Sequence, residues 1–360
     1  MLDKLKATVK LSKAIFASST FPIKLTVGLT YRCQSKCNYC DIWKVYQRDP
    51  ERYKNETESA VYLETLRDLK DHLLWVEFTG GEPFLRQDLS EIVSFALNNT
   101  RIIATGITTN GLDSDLVLRT TYDILRKSKK KQIVIGVSID GDPETYKRSR
   151  GLNGFKNAMR TFLELKRLTS SYDNLRPHIA YTISRFNAGN FHRFYHYISE
   201  EYGIGIADIS FAIEHPFGYY FQNHLETTRN ENEFSKDAWK DVQFILGIRH
   251  ESKINMINPL NRFYDYYLRN IPAYLNNPKQ QVIPCKACEL SAYIDPYGYV
   301  YPCIMWNQMI GSLKEKAFKA IWKSAKRESL MQTVRAGKCP NCWTPCEAQP
   351  SWFARGRWWQ

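Results

Sequence analysis

Nine cysteines fall into two groups, and none lies between Cys40 and Cys285. Cys33, Cys37 and Cys40 form C-x3-C-x2-C within CQSKCNYC, while Cys285, Cys288, Cys303, Cys339, Cys342 and Cys346 sit near the C-terminus. A disulfide scaffold spreads its cysteines through a small secreted domain, and an odd count leaves one unpaired. Three thiolates on one short loop instead wrap three corners of a cubane iron–sulfur cluster, leaving the fourth iron open to an exchangeable ligand. Structural zinc wants a fourth Cys or His close by, and the nearest histidine in sequence is His72. The six C-terminal cysteines cannot complete two four-cysteine clusters. One full auxiliary cluster is expected, with a second, incompletely ligated site left open. The spacing does not say which four close it, and a zinc ribbon is the alternative reading of that region alone.

Other chemistry-bearing residues recur after apolar runs. Thr79-Gly80-Gly81-Glu82-Pro83 offers two glycines that let the backbone approach a ligand and a carboxylate able to accept a hydrogen bond from an ammonium group. Asn110, Ser138, Asp140 and Ser184 end further runs, where polar side chains suit ribose hydroxyls; turn or cap roles are the plain reading for Ser138 and Asp140. Glu214 and His215 follow the sixth run and are candidates to contact substrate or move a proton, against the plainer reading of a satisfied strand-end histidine.

These residues need a scaffold. Six runs rich in β-branched residues, at 24–31, 73–80, 101–110, 132–140, 178–184 and 207–213, alternate with amphipathic segments. Runs apolar almost throughout and separated by helices predict a parallel sheet buried on both faces. The fold class is therefore α/β, a partial (β/α)6 TIM-like barrel with chemistry at the C-terminal ends of its strands. The expected organisation is a basic segment at 1–23, the barrel at 24–213, a helical connection at 214–283 and a small cysteine-rich domain at 284–360. Helices are expected near 233–249 and 259–270, a hairpin in DPYGYVYPC turning at Pro296 to Gly298, and one basic helix in KAFKAIWKSAKRESLMQTV.

Composition narrows the class. In 360 residues, 43% are apolar and 24% charged, which argues against a disordered or collagen-like chain. No uncharged apolar run approaches the roughly 18 residues of a membrane-spanning helix, and the lysine-studded N-terminus lacks a secretory signal's apolar stretch. A cytoplasmic protein is expected. The net charge of +13 permits attraction to nucleic acid, anionic lipid or acidic peptide without choosing among them. Basic stretches at Lys127 to Lys131 and at 314–338 read as solvated faces. The basic, loosely amphipathic N-terminus and the tail WFARGRWWQ suit peripheral contact with an anionic membrane, or packing against the barrel.

CQSKCNYC, with an aromatic before its third cysteine, resembles the signature of the radical S-adenosylmethionine (SAM) superfamily, and the later motifs follow in that family's order. The resemblance implies that Cys33, Cys37 and Cys40 bind a [4Fe–4S] cluster whose open iron chelates SAM, with Tyr39 near the adenine. It implies that Gly80, Gly81, Glu82 and Pro83 hold the methionyl amine. It implies that Ser138 contacts SAM, that Asp140 lies near the nucleoside or substrate and that Arg150 pairs with the SAM carboxylate, with Asn110 and Ser184 as further cofactor-binding candidates from their strand-end positions. The C-terminal region resembles SPASM and twitch domains, which hold auxiliary [4Fe–4S] clusters, although the last three cysteines depart from the SPASM spacing. The implied reaction is reductive cleavage of SAM to a 5′-deoxyadenosyl radical that abstracts hydrogen from an unactivated C–H bond. A flavodoxin- or ferredoxin-like donor supplies the electron. Peptide substrates are the first expectation; lipid, lipid-linked or small-molecule (sugar alcohol) substrates are the alternative. A zinc- or cluster-stabilised nucleic-acid-binding protein is the competing class; it leaves the ordered strand-end motifs unexplained, and no nucleic acid partner is expected.

Overall fold

A computed structural model describes residues 20–128, 131–215, 217–224 and 231–355. Residues 1–19, 129–130, 216, 225–230 and 356–360 lie outside the described residues, and with them most of the basic N-terminal segment, part of the lysine run and the end of the aromatic tail.

Six parallel strands pair in chain order: β1 (Lys24–Gly28), β2 (Trp75–Thr79), β3 (Ala104–Thr109), β4 (Gln132–Ser138), β5 (Leu175–Ile183) and β6 (Ile209–Ile213). Helices Ser59–Asp68, Leu89–Asn99, Ser114–Lys127, Pro143–Arg150, Phe155–Leu168 and Phe191–Tyr202 fill the crossovers. The face carrying Val76, Phe78, Ile107, Ile133, Ile135, Val137, Ile179, Tyr181 and Ile183 is buried in the main apolar core. Each such side chain removed from water contributes about 1.5–3 kcal/mol.

The other face corrects the sequence reading. Trp75 and Glu77, Thr108, Val134, His178, Ala180 and Thr182, and Ser210 and Ala212 alternate with the core residues and are only partly buried. The sheet therefore has one closely packed apolar face and one partly buried face on which small and polar residues predominate, as side-chain alternation along a strand allows. Glycines make room for the polar side chains on this second face. A Cβ on Gly106 would lie 2.2 Å from Glu77 Oε2, and one on Gly136 would lie 2.9 Å from His178 Nε2.

Short strands β7 (Phe217–Gly218) and β8 (Asn223–His224) form a separate antiparallel pair. Helices Glu231–Glu251, Pro259–Arg269 and Ile271–Asn276 follow. Beyond them, β9 (Ser291–Ile294) pairs in parallel with β1, from Lys24 opposite Ser291 to Val27 opposite Ile294. β10 (Tyr299–Tyr301) and β11 (Gly311–Ser312) extend it antiparallel, giving nine strands in the order β11-β10-β9-β1-β2-β3-β4-β5-β6. The expected hairpin is thus built onto the first barrel strand and shares its sheet. Asp295 Oδ1 accepts from Tyr297 N and Tyr299 N at 3.0 and 2.9 Å, and Gly298 takes φ +82°, where a side chain would be strained. The expected single basic helix is two, Phe318–Trp322 and Ala325–Arg335. Ser324 is extended between them, and its hydroxyl accepts from Arg327 N as an N-cap.

Candidate active site

The loop after β1 carries the first three cysteines across the C-terminal ends of the strands. Lys36 N and Asn38 N donate to Arg150 O and Ser149 O, so the loop rests on the last turn of helix Pro143–Arg150. Cys37 is buried; Ser35 Oγ lies 3.3 Å from its sulfur and Arg150 Nη1 donates to it at 3.5 Å. Asn110 Nδ2 reaches Cys33 Sγ at 3.8 Å. Burial, with Glu82 and Cys37 adding repulsion, pushes the Cys33 thiol up to about 12, and burial raises Cys40. Three unpaired thiols on one loop, with Cys33 and Cys40 penalised when ionised, suit a cationic cluster that neutralises thiolates as it binds.

Gly80 and Gly81 serve this loop directly. Gly81 N donates to Thr30 O at 2.6 Å and Glu82 N to Arg32 O at 2.7 Å. A Cβ on Gly81 would fall 2.2 Å from Arg32 O, and one on Gly80, at φ +146°, 2.4 Å from Thr30 O. These glycines therefore admit the close approach of the cysteine loop, a contact sequence reasoning did not foresee. Glu82 is buried and accepts from Asn110 N at 2.7 Å and Phe84 N at 3.2 Å. Burial raises its carboxyl to about 7 against the pull of those amides. Pro83 opens the short turn Pro83–Leu85.

Asp140 is fully buried and joins three elements. It accepts from Tyr39 Oη at 2.5 Å and Thr182 N at 2.8 Å, and its carboxylate lies 2.6 Å from Arg150 Nε. Tyr39, Asp140 and Arg150, singled out separately in the sequence, thus form one group beside Cys37. Ser138 is buried at the end of β4. Ser184 belongs to a local turn, its hydroxyl reaching Asn187 Oδ1 at 3.2 Å and accepting from Phe186 N at 3.3 Å. Glu214 is buried and accepts from Arg185 N and Nε, both at 2.7 Å. His215 Nε2 accepts from Trp343 N at 3.0 Å, and burial lowers the imidazole to about 3. It is therefore a neutral acceptor that tethers the C-terminal cysteine loop. These two expected proton-handling candidates are both engaged in internal contacts.

The second set divides. Cys285, Cys303, Cys339 and Cys342 line one cavity, with Met305, Val334 and Glu347. Burial raises Cys285 and Cys303, and Cys342 to about 12, with Glu347 and one another adding repulsion. Cys288 and Cys346 fall outside this cavity. The Cys288 thiol donates to Arg327 O at 3.5 Å, and the Cys346 carbonyl accepts from Lys24 Nζ at 2.6 Å. Four thiols around one cavity match the ligand count of an iron–sulfur cluster. A larger cavity of about 420 Å³, lined by Arg148, Arg185, Asp237 and Lys240 among others, touches none of the nine cysteines.

Sequence reasoning missed Tyr220 and Asn223. Tyr220 Oη donates to Gly80 O at 2.8 Å, and Asn223 Nδ2 donates to Tyr39 O at 2.9 Å. Both lie in an aromatic stretch without helical or strand periodicity, which gives no pattern to read.

The radical SAM superfamily model matches residues 27–175, and an iron–sulfur cluster-binding domain, SPASM, matches residues 285–346. The chain thus carries a radical SAM domain followed by a C-terminal SPASM domain. The first domain takes a [4Fe–4S] cluster and SAM, and the second an additional iron–sulfur cluster. The sporulation killing factor maturation protein SkfB of Bacillus subtilis is 24% identical over 337 residues, covering 89% of this chain and 70% of that protein. The antilisterial bacteriocin subtilosin biosynthesis protein AlbA, also of Bacillus subtilis, is 24% identical over 326 residues, 88% of this chain and 63% of AlbA. A GTP 3′,8-cyclase of Shewanella denitrificans is 28% identical over 224 residues, 60% of this chain and 61% of the cyclase. The match thus spans 61 to 70% of the length of these curated relatives. Streptococcus suis SuiB bound to its precursor peptide SuiA shares the fold, with a TM-score of 0.60 at 18% identity over 92% of this chain and 70% of SuiB. Native anSMEcpe with bound AdoMet also has a TM-score of 0.60 at 18% identity, over 87% of this chain and 84% of that one.

Proposed function

We propose that this chain is a radical SAM maturase that removes a hydrogen atom from a C–H bond of a peptide and completes an oxidation or bond formation with the help of an auxiliary cluster. The observation that carries this reading is the ladder joining the cysteine loop to Gly81 and Glu82, which sets three unpaired thiols beside a buried carboxylate. Cys33, Cys37 and Cys40 would hold the SAM-binding cluster, and Cys285, Cys303, Cys339 and Cys342 the auxiliary one. When bound, the first cluster and SAM supply reductive S–C5′ cleavage and a carbon-centred oxidant.

The protein's own part is binding and orientation. Glu82, with two amides fixing its oxygens, is placed to accept hydrogen bonds from the methionyl ammonium. Arg150 holds a positive charge against Cys37 and Asp140. Tyr39, anchored through its hydroxyl to Asp140, presents a ring at the loop end. The partly open second face of the sheet, lined by Trp75, Glu77, Thr108 and His178, offers polar groups below the strand ends.

A peptide substrate is favoured by the relatives whose names describe maturation of a killing factor and biosynthesis of a bacteriocin, and by the SuiA-bound neighbour. The electron would come from a flavodoxin- or ferredoxin-like donor. Among the described residues no helix is long and apolar enough to cross a membrane. Nine unpaired cysteines suit a reducing compartment such as the cytoplasm. The test is incubation of reconstituted, reduced enzyme with SAM and deuterated candidate precursor peptides. Deuterium in 5′-deoxyadenosine with a mass change in the peptide is expected. Deuterium transfer from a lipid or sugar alcohol, with none from any peptide, contradicts the substrate class.

A further inference from the structure

Residues 219–223 tie the two cysteine sites together. On one side, Tyr220 N donates to Ile304 O at 2.8 Å and Tyr219 N to Met305 O at 3.2 Å, directly after Cys303. On the other, Asp41 N donates to Phe221 O at 2.9 Å, next to Cys40, and Asn223 Nδ2 binds Tyr39 O. Tyr219 Oη donates to Asp295 Oδ2 at 2.8 Å and accepts from Tyr301 Oη at 2.6 Å, which pins the strap to the hairpin that leads to Cys303. The Tyr220 ring lies 5.9 Å from that of Tyr293 on β9. Its hydroxyl, 2.6 Å from Thr79 Oγ1, donates to the Gly80 carbonyl at 2.8 Å. One residue therefore holds the auxiliary-site chain by its amide and the Gly-Gly-Glu-Pro turn by its side chain.

We propose that Tyr220 is a positioning residue that couples the auxiliary site to the SAM site, so that order at Cys303 is transmitted to Gly80 and SAM binding. This rests on the function proposed above. Through its amide and its hydroxyl, Tyr220 joins the segments just beyond the ends of β10 and β2 by hydrogen bonds, the kind of physical connection that can carry energetic coupling. Coupling of binding free energies is reciprocal, so SAM must also order the chain around Ile304.

The test is hydrogen–deuterium exchange of the reconstituted full chain with and without SAM, on wild type and Tyr220→Phe. In the wild type, SAM slows exchange at residues 80–82 and also at 304–306. In Tyr220→Phe the effect at 80–82 persists, that at 304–306 is lost, and SAM binds roughly three- to tenfold more weakly. Cys303→Ala gives a second measure: it weakens SAM binding by a similar factor, and the double variant loses no more than either single one. Protection confined to 80–82 in the wild type, protection at 304–306 that survives Tyr220→Phe, or multiplicative losses in the double variant overturn the coupling. Failure of the wild type to bind SAM at all overturns the proposed function, and this inference with it.

Discussion

Arg150 Nε lies 2.6 Å from the Asp140 carboxylate, and the other end of the same guanidinium donates to Cys37 Sγ. Both partners are buried. Removing one side of such a pair leaves an uncompensated interior charge and costs about 3–5 kcal/mol. Arg150→Gln should lower the urea midpoint of the cluster-free protein accordingly and reduce cluster retention. An unchanged midpoint contradicts the role given to this pair.

The cavity lined by four of the six C-terminal cysteines gives a sharper result. Replacing Cys285, Cys303, Cys339 or Cys342 by Ala should lose one cluster's iron while the N-terminal cluster remains. Cys288→Ala and Cys346→Ala should keep the full iron content. Iron and sulfide assays with electron paramagnetic resonance decide this; loss of a cluster from either of the last two variants breaks the assignment.

Gly81→Ala should disrupt the cysteine loop, because the added methyl meets the Arg32 carbonyl at 2.2 Å and backbone cannot move aside cheaply. Overpacking of this kind costs about 1–3 kcal/mol. Gly205→Ala, with nothing within 4 Å of the added carbon, is the control. Thermal melts should separate the two variants, and equal melting temperatures count against the ladder.

His178 predicts a pH effect. Burial lowers its imidazole to about 4, whereas an unfolded histidine titrates near 6.5. Between these values the unfolded chain binds more protons, so stability is fully present above about 6.5 and falls as pH drops toward 4. At pH 5.5 the loss is on the order of 1.4 kcal/mol. Urea unfolding of the cluster-free protein from pH 7 to 5.5 should show a shallower decline in His178→Gln; identical slopes contradict it.

The first cysteine loop and Gly80 to Pro83 were legible because their spacing is local. The β-branched runs likewise marked all six barrel strands. The half-open face was visible only as alternation: His178, Ala180 and Thr182 between Ile179, Tyr181 and Ile183 are polar or small, yet surrounding apolar residues dominate the average. Pairing of β9 with β1 joins residues more than 250 positions apart, which no local pattern encodes. The division of the six C-terminal cysteines depends on how the hairpin and the 339–346 loop meet, and the tether from Trp343 to His215 is part of that meeting. The break at Ser324 went unread because that residue sits within a run of good helix formers.

The central claim is that the loop of Cys33, Cys37 and Cys40 holds a cluster with one iron free to take SAM. Electron paramagnetic resonance of the reduced, reconstituted Cys303→Ala variant isolates that cluster. Addition of SAM should shift its g-values, and 5′-deoxyadenosine should appear on further reduction, with neither seen when Cys37→Ala is added. A spectrum indifferent to SAM, with no deoxynucleoside released by the wild type, would contradict the account.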